Sequence, residues 1–252
     1  MGRISCGQWI DAFVTAGLAG GGSVSGDCVL LDFHNRFFAV ADGSGRSPGF
    51  SKDLLLEISA ALEAVKMETC FDLCVEIEKL INSILNNLYG IGSSTMTGLF
   101  IPDFIEFGLA IMLHMGDSFL ATIEGDKLER VSKTNFWMAG KSLKIHQVQP
   151  IAAVDNTIVV IGSDGFMDLV NGNGPSFDEF CTMLSRACDQ STVVDALYQS
   201  ALLDPVHDDV SLVVFRPCRV EYNPKKIVLG GMANGDLDKR VASSAANIIM
   251  IQ

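Results

Sequence analysis

The sequence predicts an α+β layered fold with antiparallel sheets. Two observations carry this. Runs of helical period and short β-rich runs arrive in blocks rather than in strict alternation, which argues against a doubly wound parallel sheet. Some strand-like runs are joined by short turn signals, such as "EGDK" between Ile123 and Leu128, which suit hairpins. The chain has 252 residues, of which 48% are hydrophobic and 19% charged, enough for one large core or two.

The elements follow in order. After a short lead, "GLAGGGSVSGD" (17–27) reads as a flexible glycine-rich stretch. "CVLLDF" and "NRFFAVAD" read as two strands of a hairpin joined near His34–Asn35. Leu54, Ile58, Leu62 and Val65 then fall on one helical face, with Ser51 expected as N-cap and Asp53 in the first turn. A second helix is expected at about 71–88, its face carrying Cys74, Ile77, Ile81, Ile84, Leu85 and Leu88. From Ser94 the pattern turns to strands: "STMTGLFIP", "FIEFGLAIMLHMGD", "SFLATIEGDKLERVS" and "TIVVIGSDG". "FDEFCTMLSRACDQ" and "TVVDALYQSALL" return to helical period, and "DVSLVVFR" is a last strand. No linker precedes Pro217, so one domain is expected over 1–218 and a C-terminal extension over 219–252. In that extension "GGMANGD" is a break, and "ASSAANIIMIQ" is left open between strand, helix and an unstructured end.

Composition excludes several classes. No apolar run reaches the roughly 18 residues that a membrane span needs. The N-terminus lacks the basic-then-apolar pattern of a signal peptide. Met1-Gly2 with Ser5 and Cys6 loosely matches a myristoylation site, a match that chance often supplies. The net charge of −12 repels nucleic acid and anionic lipid. It suits plain solubility, and equally carboxylates gathered around divalent cations. Seven scattered cysteines with no CxxC pair argue against zinc and a disulfide framework; buried thiols in a reducing cytoplasm are the simpler account.

The acids are more telling. Asp42 ends "FFAVAD" and enters Gly43-Ser44-Gly45; Asp117 follows "AIMLHMG"; Asp164 follows "TIVVIGS". Asp208 and Asp209 precede "VSLVVF", and Asp27 precedes "CVLL". Singly, each is an ordinary turn acid. Together, at strand ends, they are able to converge while the strands stay apolar. Clustered carboxylates repel, and a hard divalent ion removes that penalty. Two such ions about 3.5–4 Å apart activate a water and clamp a phosphate oxygen. No GxSxG elbow, HExxH or P-loop supplies a competing chemistry.

"SGDCVLL…FFAVADGSG", "GSSTMTGLF", "MGDSFLATIEGDKLERVS", "VVIGSDGFMDLV" and "HDDVSLVVF" resemble, in this order, the metal-dependent serine/threonine phosphatases of the PP2C (PPM) family. The resemblance covers roughly residues 20–216, and "GGGSVSGD" followed by "ADGSG" looks closest to the bacterial branch typified by the sporulation phosphatase SpoIIE, which acts in partner switching. It implies a four-layer αββα sandwich of two antiparallel sheets, with a dinuclear Mg²⁺ or Mn²⁺ site at one end. It implies that Asp42 bridges both metals, that Gly43 lends its carbonyl to one, and that Asp164 and Asp208 hold the other. Asp27 matches an acid that reaches a metal through water, Asp117 one linked to a weaker third metal, and Asp209 a place where the family often has Asn. The activity implied is hydrolysis of a phosphoserine or phosphothreonine protein by a bridging hydroxide.

Two features of many eukaryotic members are absent: a basic residue between Ala19 and Gly26, and a His where Ser44 stands. Arg46 is the remaining candidate to help hold phosphate, and the general acid is unassigned. Two further readings stay open: a signalling module that keeps the fold without activity, and an unselective small-phosphoester hydrolase. Because Asp42 and Gly43 lie just before the first helix, movement of helices 51–65 and 71–88 is a possible route of regulation. His114 reads as a sheet residue, His207 as a surface-turn residue, and Trp137 and Met138 as part of a flap or packing loop.

Overall fold

The computed structural model describes residues 2–6, 9–20, 25–44, 48–65, 70–102, 108–125, 127–172, 174–221, 223–231 and 248–251. Two sheets stack face to face, with helices on both outer surfaces. One sheet has six strands in the order β1 (Gly2–Cys6), β2 (Ile10–Thr15), β11 (Val210–Phe215), β10 (Ile158–Gly162), β7 (Phe119–Glu124) and β8 (Lys127–Arg130). The other has seven: β13 (Ile248–Ile251), β12 (Lys226–Gly230), β3 (Cys28–Asp32), β4 (Phe37–Ala41), β5 (Met96–Phe100), β6 (Leu109–Met115) and β9 (Gln147–Ala152). Every pairing is antiparallel except β12 with β13. The αββα arrangement is the one the sequence resemblance implies.

Three apolar layers hold these parts together. Val29, Leu31, Phe38, Val40, Leu120, Ile161 and Phe215 fill the space between the sheets. Phe38 packs edge-on against Phe33 and tilted against Phe215, with centroids 5.5 and 4.8 Å apart. The other faces of β3 and β4, through Leu30, Phe37 and Ala39, meet α1 (Pro48–Leu62) and α2 (Cys70–Asn87). The opposite surface packs on α3 (Asp164–Gly172), α4 (Phe177–Arg186) and α5 (Gln190–Leu203). Because β3, β4, β10 and β11 are covered on both faces, they read as continuous apolar runs rather than alternating ones. Each fully buried Leu, Ile or Phe contributes roughly 1.5–3 kcal/mol.

Several expectations are corrected. Helix α1 starts at Pro48, so Ser51 lies inside the first turn and Asp53 beyond it. Ser51 is not the N-cap; its hydroxyl donates to the carbonyl of Gly26 at 2.5 Å. The lead before residue 17 forms β1 and β2, an antiparallel pair at the sheet edge. Its pattern is broken by Asp11, which is fully buried with the Arg3 guanidinium 3.7 Å away. Strand β9 contains Pro150, which an edge strand tolerates because its missing N–H faces no ladder partner.

The C-terminal stretch supplies β12, which lies directly against β3. Lys226 places Nζ 3.3 Å from Asp32 Oδ2 and donates to Ser59 Oγ at 2.9 Å. Ser59 Oγ in turn donates to Asp32 at 2.5 Å. This buried polar knot ties β12, the β3–β4 hairpin and α1 together at one end of the sheet. The carboxylates at strand ends lie at the other.

Candidate metal centre

Antiparallel pairing brings the acidic ends together. The C-terminal ends of β4, β6 and β10 deliver Asp42, Asp117 and Asp164, and the N-terminal ends of β3 and β11 follow Asp27 and Asp208–Asp209. One carboxylate oxygen from each of Asp42, Asp117 and Asp164 lies within 4.8 Å of the others. Asp208 is exposed beside this trio and acts on both Asp42 and Asp164 through its charge. Asp27 is buried behind Asp42, and its carboxylate accepts from Ser211 Oγ at 2.7 Å. The tightest group therefore includes Asp117 and leaves Asp208 at its rim. Arg46 lies outside the described residues.

The electrostatics show what the cluster lacks. Burial, then the charges of Asp164 and Asp208, push the Asp42 carboxyl up to about 8. Burial, then the charges of Asp117 and Asp208, raise Asp164, although the Gly165 N–H donates to its Oδ1 at 2.8 Å. Burial, then Asp42, holds Asp27 well above the usual carboxylate range. Among the described residues no Lys or Arg comes within 4 Å of these acids. An all-carboxylate donor set fits a hard divalent ion and suits zinc poorly.

Neutral groups fix the acids in place. Asp42 holds its backbone to β5: Thr95 N–H and Ser94 Oγ both donate to its carbonyl, at 2.9 and 2.8 Å. Thr95 Oγ1 also accepts from Asp42 N–H at 3.3 Å and meets Ser118 Oγ at 2.6 Å. The "GSST" hydroxyls are thus satisfied in the strand start, as their context in the sequence indicates. Gly43 is buried and bridges to Ser94. His114 is a sheet residue: buried, it contacts Thr97 Oγ1 at 2.8 Å and the Lys133 carbonyl at 2.9 Å, and burial lowers its pKa to about 4.

Asp209 has a role that the sequence did not reveal. Its Oδ1 accepts from Gly17 N–H at 2.7 Å, and its Oδ2 from Gly26 N–H at 2.5 Å and Ser25 Oγ at 3.1 Å. It thus clamps two backbone segments while Asp208, one residue earlier, stays exposed. This packing needs small residues. A Cβ on Gly165 would collide with the Asp209 carbonyl, and one on Gly17 with the Asp208 carbonyl. The glycines at these positions are the only sequence signal of that close approach.

Solved structures share this fold. A bacterial serine phosphatase superposes with TM-score 0.67 at 15% identity, covering 85% of this chain and 98% of that one. The PPM Ser-Thr phosphatase MsPP from Mycobacterium smegmatis, in complex with cacodylate, gives 0.64 at 19% identity, covering 85% and 99%. The fold is that of the PPM serine/threonine phosphatases. A third PPM neighbour, the catalytic domain of the serine/threonine phosphatase PstP in complex with two manganese ions, gives 0.63 at 16% identity, covering 81% and 96%. Comparison with family models and with curated proteins finds no match. In the described PPM fold no helix is long and apolar enough to cross a membrane.

Proposed function

We propose that this chain is a metal-dependent protein phosphatase that hydrolyses phosphoserine or phosphothreonine. The observation that carries the reading is the convergence of Asp42, Asp117 and Asp164 oxygens within 4.8 Å of one another. Their placement at strand ends of a PPM fold, in the order the sequence motifs run, supports it. Asp42, Asp117, Asp164 and Asp208 would hold two Mg²⁺ or Mn²⁺ ions, with the Gly43 carbonyl, and Asp27 would act from behind through water. Bound there, divalent ions supply Lewis acidity toward phosphoryl oxygens and water of lowered pKa. The protein's own part is to orient. Thr95 and Ser94 fix the Asp42 backbone, Ser211 orients Asp27, and Asp209 secures the loop that carries Asp208. Arg46 remains a proposed contact to substrate phosphate.

The "GGGSVSGD" and "ADGSG" motifs support a place in the SpoIIE-like branch, with a small phosphoserine protein as substrate in a partner-switching pathway. The test is release of inorganic phosphate from a phosphoserine protein in Mn²⁺, with wild type and Asp42→Ala. Metal-dependent release abolished by the substitution is expected. Full Mn²⁺-dependent activity in Asp42→Ala would overturn the mechanism, and metal binding without turnover in wild type would favour the inactive signalling module.

A further inference from the structure

We propose that the strap of residues 131–146, between β8 and β9, docks the acidic flank of a phosphoprotein substrate beside the acidic centre. Exposed Phe136 and Trp137 would seat an apolar side chain, and Lys141 and Lys144 would pair with acids near the phosphoserine. The proposal rests on the phosphatase reading and names the kind of sequence that this site selects.

The strap is sewn to the centre at two points. Asn135 N–H donates to the Gly116 carbonyl at 2.9 Å, and Gly116 N–H returns to Asn135 Oδ1 at 2.9 Å. Gly116 precedes Asp117. Further on, Ala139 N–H donates to the Ser94 carbonyl at 2.8 Å, and Ser94 N–H to the Ala139 carbonyl at 3.2 Å. Ser94 is the residue whose hydroxyl donates to the Asp42 carbonyl. Residues 136–138 therefore lie between the supports of Asp117 and Asp42. Phe136 is 99% exposed, Trp137 42% and Leu143 48%. These three, with Ser142 and Lys144, line a recess of about 500 Å³. Exposed aromatics gathered beside a site mark a contact surface rather than chance exposure.

Charge identifies the occupant. Between Arg130 and Gln149 the sequence has four Lys or Arg and no Asp or Glu, in a chain whose formal net charge is −12. Among the described residues, none of those four cations has a carboxylate within 4 Å. A basic patch whose cations face no carboxylate within 4 Å complements a short acidic segment, which meets the patch alone, whereas a longer polyanion also meets the surrounding negative field. The same field disfavours nucleic acid and anionic membrane. It also disfavours a second copy of this chain, which carries an equal negative charge.

The experiment compares two phosphoserine peptides in Mn²⁺, one with Leu and Asp/Glu flanks and one with Ser/Asn flanks, together with p-nitrophenyl phosphate. For wild type, a lower KM on the acidic peptide is expected, with the preference shrinking in salt. Lys141→Glu with Lys144→Glu should raise KM on the acidic peptide roughly tenfold at low salt, the size of two lost surface pairings. It should leave p-nitrophenyl phosphate turnover and thermal unfolding unchanged. Phe136→Ser should raise KM on the Leu-containing peptide with kcat retained. A wild type that does not prefer the acidic peptide, or a preference that survives the double reversal, overturns the proposal. So does a dimer in sedimentation that Phe136→Ser dissociates, because the occupant would then be a second copy. If wild type hydrolyses none of the three substrates, the phosphatase reading fails by itself. Fluorescence anisotropy of the labelled acidic peptide then decides the docking: binding lost on charge reversal supports it, and no binding or unchanged binding overturns it.

Discussion

Replacing Asp42 with Asn should stabilise the metal-free protein and weaken its response to metal. The Asp42 carboxyl is pushed up to about 8 from an ordinary 3.8, by burial first and then by Asp164 and Asp208. The sign follows from linkage. Below about pH 3.8 the group is protonated both folded and unfolded, and it costs nothing. As pH rises toward about 8, the unfolded chain gives up its proton and the folded one retains it, so stability falls across that window. At about 1.36 kcal/mol per pH unit, the ceiling at pH 7 is about 4 kcal/mol. Asp42 keeps some contact with solvent, and Asp27 and Asp164 redistribute charge once it is gone, so about 1–2 kcal/mol should remain. For a chain of this size that is a rise of about 2–8 °C in Tm. The assay is thermal unfolding in chelator at pH 4 and pH 7, then with Mn²⁺. Asp42→Asn should match wild type at pH 4, exceed it at pH 7, and gain less from Mn²⁺. A variant less stable than wild type in chelator at pH 7 would refute the electrostatic reasoning.

Other outcomes follow from the same structure. Mn²⁺ binding measured calorimetrically at pH 7 in two buffers of different ionisation enthalpy should release at least one proton per protein, because metal displaces protons held by the group of Asp42, Asp27 and Asp164; affinity should therefore rise with pH up to about 8. Gly165→Ala drives a Cβ into the Asp209 carbonyl, and should cost about 2 kcal/mol or more in urea unfolding while reducing the Mn²⁺-induced rise in Tm. Lys226→Met removes the cation beside buried Asp32; with Ser59 and Asn35 still donating, about 3 kcal/mol should be lost, far from the acidic end.

The doubly covered strands were legible because their composition is almost purely apolar, as in "CVLL" and "FFAVA". The α1, α2, α4 and α5 faces were legible from helical period. Elements that hide their pattern were not. Strand β2 carries buried Asp11, and β9 carries Pro150 at an edge. Helix α3 begins on Asp164 itself, where a turn acid and a helix start look alike in sequence. At the site, the repeated strand-then-acid pattern pointed to Asp42, Asp117 and Asp164, since a strand end fixes where its next residue lies. It did not rank them: the trio's closeness depends on how the two sheets face each other, which no local pattern encodes. The clamp by Asp209 was hidden for the same reason, because Gly17 and Gly26 lie more than 180 residues away in the chain.

The most direct measurement is anomalous scattering from crystals grown in Mn²⁺. Manganese is expected between Asp42, Asp117 and Asp164, with Asp208 at its edge. Manganese located only elsewhere on the surface, with those carboxylates turned away from one another, would contradict it.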